Sequence, residues 1–449
     1  MTPDLMARYD QRVPRYTSYP TAPQFSTQIT SEVYGKWLKE LNPVIPLSLY
    51  VHIPFCTELC WYCGCHTAVS RSYNAVEHYV SCLKSEIDLI VRKLPSRMAV
   101  SHMHLGGGTP TSLKPKDLHS ILSHLHERFQ ILDDAESAVE IDPRVLTKEH
   151  VDVLAIHGVN RASLGVQDFH EKVQATVNRI QSLECTRQCV HWLRSAGISK
   201  LNIDLMYGLP YQTSKSICDT VDMVLELDPD RITLFGYAHV PWMKKHQMLL
   251  PENVLPDIEE RIQQMETASI YLAEQGYVPI GIDHFAKPDD VMVQRQRENR
   301  LHRNFQGYTT DEAYALIGFG TSAIGFLPQG YVQNMSSTAH YQEAVVAENL
   351  ATARGVFLTQ EDRLRRSIIE RLMCDFSVDL AREAAFHNLP DFDFSREISR
   401  MNALICDGIV DHVGTRLIVR DAARPLVRLV CAVFDQYFDS HEKMYSKML

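Results

Sequence analysis

The stretch "LSLYVHIPFCTELCWYCGCHT", Leu47 to Thr67, decides how the chain is read. Its first seven residues suit a buried strand, and four of the eleven cysteines, Cys56, Cys60, Cys63 and Cys65, follow within ten residues. A strand running into a thiol-rich loop looks like the start of a βα unit whose loop does chemistry. Cys56, Cys60 and Cys63 stand in a C-x3-C-x2-C spacing. Three such thiolates suit three irons of a cubane cluster and leave the fourth iron open to an outside ligand. A structural zinc ion would need a fourth ligand, Cys65 or His66, and usually draws its ligands from two separated pairs. Incidental packing is the third reading. Trp61 and Tyr62, between the ligands, either limit water access to a cluster or fill core space.

Outward from this stretch, residues 47 to about 282 alternate short β-rich runs with helical ones, the mark of βα units around a parallel sheet. The predicted strands are "LSLYVHI", "VSHMHL", "AVEI", "RASLGV", "LNIDLM" and "RITLF". Between them, Val76, Tyr79, Val80, Leu83, Ile87, Ile90 and Val91, then Leu118, Ile121, Leu122, Leu125 and Phe129, recur at helical spacing. "TKEHVDVLAIHG" reads as a helix capped by Thr147 and ended by Gly158, and "LRSAG" as a helix end at Gly197. "YVPIGI" is a further strand candidate. The expected fold is α/β, an open (β/α)6 partial TIM barrel with an N-terminal arm and a mainly helical C-terminal domain; a doubly wound sheet is the alternative. Barrel enzymes work at the C-terminal ends of their strands. Here those ends carry the cysteine loop, "GGGTP" (Gly106 to Pro110), Glu140 with Asp142, Gln167 with Asp168, Asp204 leading into "YGLP", and "GYAH". The glycine triplet lets backbone approach a ligand closely and expose amide donors.

Three segments are expected: an arm over 1–45, a catalytic barrel with a following loop-rich region over 46–345, and a helical domain over 346–449. In the last, "DGIVDHVGTRLIV" reads as a hairpin beside helices, as in a winged helix. Residues 360–449 hold thirteen Lys and Arg against fifteen Asp and Glu, which argues against DNA binding there. A net charge of −10 likewise excludes general affinity for nucleic acid or anionic lipid, so an acidic ligand needs a local basic pocket. Neither a signal peptide nor a run of eighteen apolar residues is present, so a cytoplasmic protein without membrane insertion is expected, a monomer with thiols free or metal-bound.

The cysteine spacing after a first strand, with "GGGTP" after the second, resembles the radical S-adenosylmethionine superfamily. Within it, "RYTSYPTA", "YVHIPFC", "CWYCGC", "VEIDPR", "GVQDF", "NIDLMYGLP", "YAHVP", "DHFAKPDD" and "HRNFQGYTT" resemble the oxygen-independent coproporphyrinogen III oxidase family over nearly the whole chain. The resemblance implies a [4Fe-4S] cluster on Cys56, Cys60 and Cys63, with S-adenosylmethionine on its open iron. One electron would cleave the sulfonium to give a 5′-deoxyadenosyl radical, which takes a propionate β-hydrogen from coproporphyrinogen III. Loss of carbon dioxide and a further electron leave a vinyl group, and a second round gives protoporphyrinogen IX in haem biosynthesis without oxygen. A reductant and an electron acceptor are implied partners.

By the same resemblance Tyr50, Gly107, Glu140 and Ile324 line the cluster-bound S-adenosylmethionine, while Tyr62, Gly108, Thr109, Gln167, Arg179, Asp204 and Ala238 match a second molecule. Gln167, Arg179 and Asp204 could equally form a buried rim network. Tyr50 and Cys65 are the catalytic candidates; Cys65 either delivers hydrogen or packs. His66 stands where many family members have asparagine. Four substrate carboxylates call for cations, and Arg15, His302 and Arg303 are the candidates, with His239 and His284 behind them. Two other readings compete: a related radical protein that binds or degrades haem, and a zinc-stabilised binding protein.

Overall fold

The computed structural model describes residues 5, 8–70, 72–438 and 445. Leu47–Ile53 (β1) is buried at every residue but Tyr50, the pattern of a strand covered on both faces. Ala99–Gly107 (β2), Gln130–Ile141 (β3), Arg161–Gln167 (β4), Lys200–Tyr207 (β5) and Arg231–Gly236 (β6) add to it in order, each parallel to the last. The crossovers use Tyr73–Val91 (α1), Pro115–Arg128 (α2), Lys148–Ile156 (α3), Leu183–Ser195 (α4) and Ser214–Leu225 (α5), and Ile258–Glu274 (α6) follows β6. Local chemistry sets their ends. Thr147 caps α3 in a capping box with His150, Thr213 does so for α5 with Ser216, and Gly158 and Gly197 end α3 and α4 at φ +70° and +88°.

Beyond β6 the chain forms a hairpin of Val278–Ile280 (β7) and His284–Ala286 (β8), with β8 antiparallel to β6. "YVPIGI" thus supplies an outer edge strand. The opposite flank departs from the sequence expectation. The stretch 283–345, read as loop-rich, contributes Leu316–Phe319 (β9) parallel to β1, then Ile324–Leu327 (β10) and Gly330–Asn334 (β11) antiparallel. Thr352–Phe357 (β12) extends the same edge, so the main sheet continues past residue 345. The glycines that suggested loops permit close strand approach: a Cβ on Gly318 would lie 2.9 Å from the Ile324 carbonyl oxygen, and one on Gly330 1.9 Å from that of Val356. The sheet runs β12-β11-β10-β9-β1-β2-β3-β4-β5-β6-β8-β7. Its outermost strands do not pair with each other, which leaves the barrel open.

Past the sheet come Gln360–Asp375 (α7), Leu380–Phe386, Ser395–Cys406 and Val427–Phe434 (α8), with a small sheet of Ser377–Asp379, Arg416–Val419 and Val410–Val413. The expected hairpin is there, turning at Gly414 with φ +62°. The arm does not hang free. Val13, Tyr16 and Tyr19 are buried, Tyr16 bonds Asp435 at 3.2 Å, and Tyr9 bonds Asp407 at 2.6 Å, so the start of the chain lies against its end.

Candidate active site

Pro54 turns β1 into the cysteine loop, whose stem is Phe55–Cys56 paired in parallel with Ala68–Val69. The loop is held mainly through its backbone by distant segments. The Trp61 N–H donates to Val177 O at 2.9 Å, Asn178 Nδ2 to Leu59 O at 2.9 Å, Gln247 Nε2 to Tyr62 O at 3.0 Å, and Lys244 Nζ to Cys65 O at 2.7 Å. His246 Nε2 bonds the Cys63 carbonyl at 2.7 Å, and His52 Nε2 bonds that of His66 at 3.0 Å. Burial brings His52 down to about 4, so at neutral pH it acts as an uncharged strut. Neither these struts nor their pairing carried a signal in the sequence beyond position in a named motif.

Cys60 is buried, Cys56 and Cys63 half-buried, and Cys65 exposed. Cys60 Sγ accepts from Arg144 Nη2 at 3.4 Å and Arg179 Nη1 at 3.5 Å. The same two guanidiniums hold Asp142, at 2.6 Å and 3.3 Å, and keep its carboxyl below the ordinary range although burial pulls the other way. A hydrogen bond from Cys65 leads the causes that bring Cys63 down to about 6, whereas burial, with Cys63 and Cys60 adding, pushes Cys56 up to about 12. Among the described residues no three His, Cys, Asp or Glu side chains form a single-ion metal site. Two cationic donors on one sulfur fit a thiolate that ligates a cluster. Arg179 Nε and Gln167 Oε1, buried without a hydrogen-bond partner among the described residues, fit a polar ligand beside it.

The glycine triplet works differently from the sequence reading. Gly106 leaves room for the Glu140 carboxylate, which a Cβ would meet at 2.7 Å; Gly107, at φ +118°, fits against His52, and Gly108 against Phe55 O. The Gly107 amide donates to Glu140 Oε2 at 3.0 Å and that of Gly108 to Ile53 O at 2.8 Å, so both amides serve the protein. His104 Nε2 bonds the other Glu140 oxygen at 3.0 Å. Against burial, these two partners hold the carboxyl below its usual value. Tyr50 stacks near His104, ring centroids 6.0 Å apart, with its hydroxyl 3.0 Å from His52 Nδ1. Tyr50 also pairs in register with Gly318, where an added Cβ would lie 2.9 Å from Ile324 O, so Tyr50, Gly107, Glu140 and Ile324 share one end of the sheet.

The second set is largely satisfied from within. Thr109 Oγ1 accepts from the Asp142 amide at 3.1 Å, and Arg179 donates to Gly165 O at 2.5 Å. Asp204 accepts from Ser163 and Asn202 at 2.8 Å each. Ala238 O and Tyr62 O share Gln247. Gln167, at φ +72°, is the member with an unpaired oxygen.

Arg15 and Arg303 meet in one cavity of about 60 Å³, with Tyr207, Gly236, Ala238, Arg261 and Arg428 around them. Arg15 is solvent-accessible and makes no hydrogen bond or ion pair among the described residues. Arg303 faces Asp283 at 3.7 Å and lies over the Tyr308 ring at 4.4 Å. Despite burial, Arg303, His284 and Arg15 hold Asp283 down to about 2. Arg428, from α8, donates to Pro14 O at 2.9 Å and to Val13 O, and thereby pins the arm beside Arg15. Burial and then the charges of Arg15 and Arg303 lower it to about 9. The sequence reading missed Arg428 and Arg261: each is a single arginine with no local motif. His302 is not in this group; it bonds Glu370 at 3.2 Å in a neighbouring cleft. His239 is engaged by Tyr237 and Glu252, and His284 by Asp283.

A thiol loop after β1, anchored at the C-terminal rim of parallel strands with a glycine turn and Glu140 beside it, defines a radical S-adenosylmethionine protein, and the radical SAM superfamily profile matches residues 50–224. Whole-chain likeness is narrower. The chain is 49% identical over 448 residues to the oxygen-independent coproporphyrinogen III oxidase of Bradyrhizobium diazoefficiens, covering all of both, and 39% identical over 443 residues to that of Escherichia coli, covering 98% of this chain and 96% of the other. The solved coproporphyrinogen III oxidase of Escherichia coli, a radical SAM enzyme, superimposes with a TM-score of 0.89 at 38% identity, over 95% of this chain and 100% of that one. The chain belongs to the oxygen-independent coproporphyrinogen III oxidase family.

Proposed function

We propose that this chain decarboxylates two propionates of coproporphyrinogen III to vinyl groups, giving protoporphyrinogen IX in haem biosynthesis without oxygen. Cys56, Cys60 and Cys63 hold a [4Fe-4S] cluster, and Glu140, fixed by His104 and Gly107, takes the amine of S-adenosylmethionine beside Tyr50 and Ile324. Bound there, the cofactors would supply the radical chemistry by which a propionate hydrogen is removed. Arg144 and Arg179 stabilise the Cys60 thiolate by donating to it, and His52 keeps the loop's far end in place. Tyr62, Gly108, Thr109, Gln167, Arg179, Asp204 and Ala238 take a second S-adenosylmethionine; the unpaired Gln167 oxygen supports this, while the internal bonds of Thr109 and Asp204 favour a structural share. Cys65, next to Cys63 and exposed, either exchanges a proton near the reacting centre or only packs in the loop.

The observation that carries the substrate assignment is Arg15, a cation with no hydrogen bond or ion pair among the described residues, in a cavity with Arg303 and Arg428. Gathering three guanidiniums around one carboxylate, Arg303 and Arg428 among them buried, is costly unless further anions arrive. Substrate propionates are such anions. One chain carries every group named, so a monomer suffices, and eleven cysteines outside any disulfide suit a reducing cytoplasm. No described helix is long and apolar enough to cross a membrane. Anaerobic incubation of the cluster-loaded enzyme with a reductant, S-adenosylmethionine and coproporphyrinogen III is expected to yield protoporphyrinogen IX; a fully clustered enzyme that yields none rejects the assignment.

A further inference from the structure

A larger cleft, of about 430 Å³, lies between the β9–β11 edge and α7, and Arg303 lines both it and the Arg15 cavity. Phe326 and Tyr331 of the sheet line it together with His387 and with Arg363 and Arg366 of α7, Arg366 stacking on Phe326. Every acid in the lining already has a partner. Asp311 accepts from Ser48 at 2.5 Å and lies 3.3 Å from His102, Glu312 pairs with Arg300 at 2.5 Å, and Glu370 bonds His302 at 3.2 Å. The basic groups beside the rings are without an acidic partner among the described residues. Arg366 lies over the Phe326 ring at 4.0 Å and, among the described residues, makes no hydrogen bond or ion pair. Arg363 has one weak side-chain bond, to Leu358 O at 3.4 Å. His387 Nε2 is buried without a partner among the described residues. Burial, and then repulsion from Arg366, lowers the Arg363 pKa, so the two guanidiniums already oppose each other.

Three donor groups with hydrogen-bonding capacity to spare beside aromatic rings describe a site for an apolar ring system edged with carboxylates. Ile324, one of the residues next to the expected cofactor, is part of the same wall, which places the cleft beside the reacting centre. We propose that this cleft seats the tetrapyrrole, with Arg363, Arg366 and His387 gripping propionate carboxylates while Phe326 and Tyr331 lie along the macrocycle. The inference rests on the oxidase reading and gives the C-terminal segment a task, since all three donors come from it.

The test titrates coproporphyrin III, the fluorescent oxidised tetracarboxylate, into the anaerobic, cluster-loaded full-length protein, with its tetramethyl ester as the comparison. The acid should bind at least about tenfold more tightly than the ester, because each charge-assisted bond lost is worth roughly a factor of ten or more. Arg366→Gln and Arg363→Gln should each weaken the acid about tenfold and leave the ester unchanged, with Arg366→Lys recovering part of the loss. Equal binding of acid and ester by the unmodified enzyme overturns the inference, and needs no variant to fold. So does an Arg366→Gln enzyme with unchanged affinity and unchanged KM, a result that leaves the oxidase reading standing. Selective binding of the acid that Arg366→Gln weakens, by a fully clustered enzyme that forms no protoporphyrinogen, supports the cleft and overturns the oxidase reading.

Discussion

Replacing Gly108 by alanine should dislocate the cysteine loop without touching a thiol. An added Cβ would lie 2.5 Å from Phe55 O and 2.9 Å from both the Phe55 and Pro54 carbonyl carbons. These are backbone atoms and cannot rotate away. Reaching an ordinary contact of 3.4 Å means opening the gap by 0.9 Å, from 3.4 less 2.5. The crossing is closed by two hydrogen bonds, Gly108 N–H to Ile53 O at 2.8 Å and Thr109 N–H to Phe55 O at 2.9 Å. Neither stays within hydrogen-bonding range after such a shift. Two bonds at about 1 kcal/mol each, with roughly 1–3 kcal/mol of overpacking strain, give a loss of about 3–5 kcal/mol. The displaced residue directly precedes Cys56, so cluster assembly should suffer as well. Urea unfolding and iron and sulfide analysis after anaerobic reconstitution measure both effects. Gly64→Ala is the control: it lies in the same loop, and no heavy atom stands within 4 Å of its added Cβ. A Gly108→Ala protein as stable as Gly64→Ala, with a full complement of iron, would refute the steric account.

Cys60→Ser should lose cluster and S-adenosylmethionine cleavage together, since a hydroxyl is a poor iron ligand; retained iron and retained 5′-deoxyadenosine release would show that Cys60 is not a ligand. Arg15→Ala should raise the KM for coproporphyrinogen III about tenfold or more through the loss of a charge-assisted bond, with iron content unchanged. Glu86 makes a pH prediction. Its carboxylate is buried among the Gly320 amide, Tyr341 hydroxyl and Asn334 amide, and burial outweighs these donors to raise it to about 7. Between about 4.5 and 7 the native state then holds more protons than the unfolded one, so stability should fall as pH rises through that window, by about 3 kcal/mol. Thermal unfolding should show that slope, and Glu86→Gln should remove it.

Much of the site was legible in the sequence because it is local. The thiol spacing, the glycine triplet and the acids after successive strands sit within a few residues of strands whose hydrophobicity is plain, and parallel topology alone carries them to one rim. What escaped detection depends on tertiary approach. β9, β10 and β11 are four or five residues long and carry Gly318, Gly325 and Gly330, so strand periodicity never builds up. Arg428 is one charge in an otherwise apolar helix, "VRLVCAVF", and only the fold shows that it reaches the arm. His302 and Arg303 are neighbours in sequence but alternate faces of a short strand, which separates their surroundings: one bonds Glu370, the other faces Asp283. The glycine triplet was correctly marked as a close approach, but its neighbours are protein atoms.

The grip of Arg428 on Val13 and Pro14 also sets an order for biosynthesis. All four clustered thiols have been translated by residue 65, whereas the arginine that orients the arm follows only at residue 428. A chain still on the ribosome can possess its cysteine loop long before Arg428 closes the basic cavity around Arg15, so on the proposed roles the cluster ligands precede the substrate cavity. C-terminal truncations upstream of Arg428 should reproduce that unfinished stage.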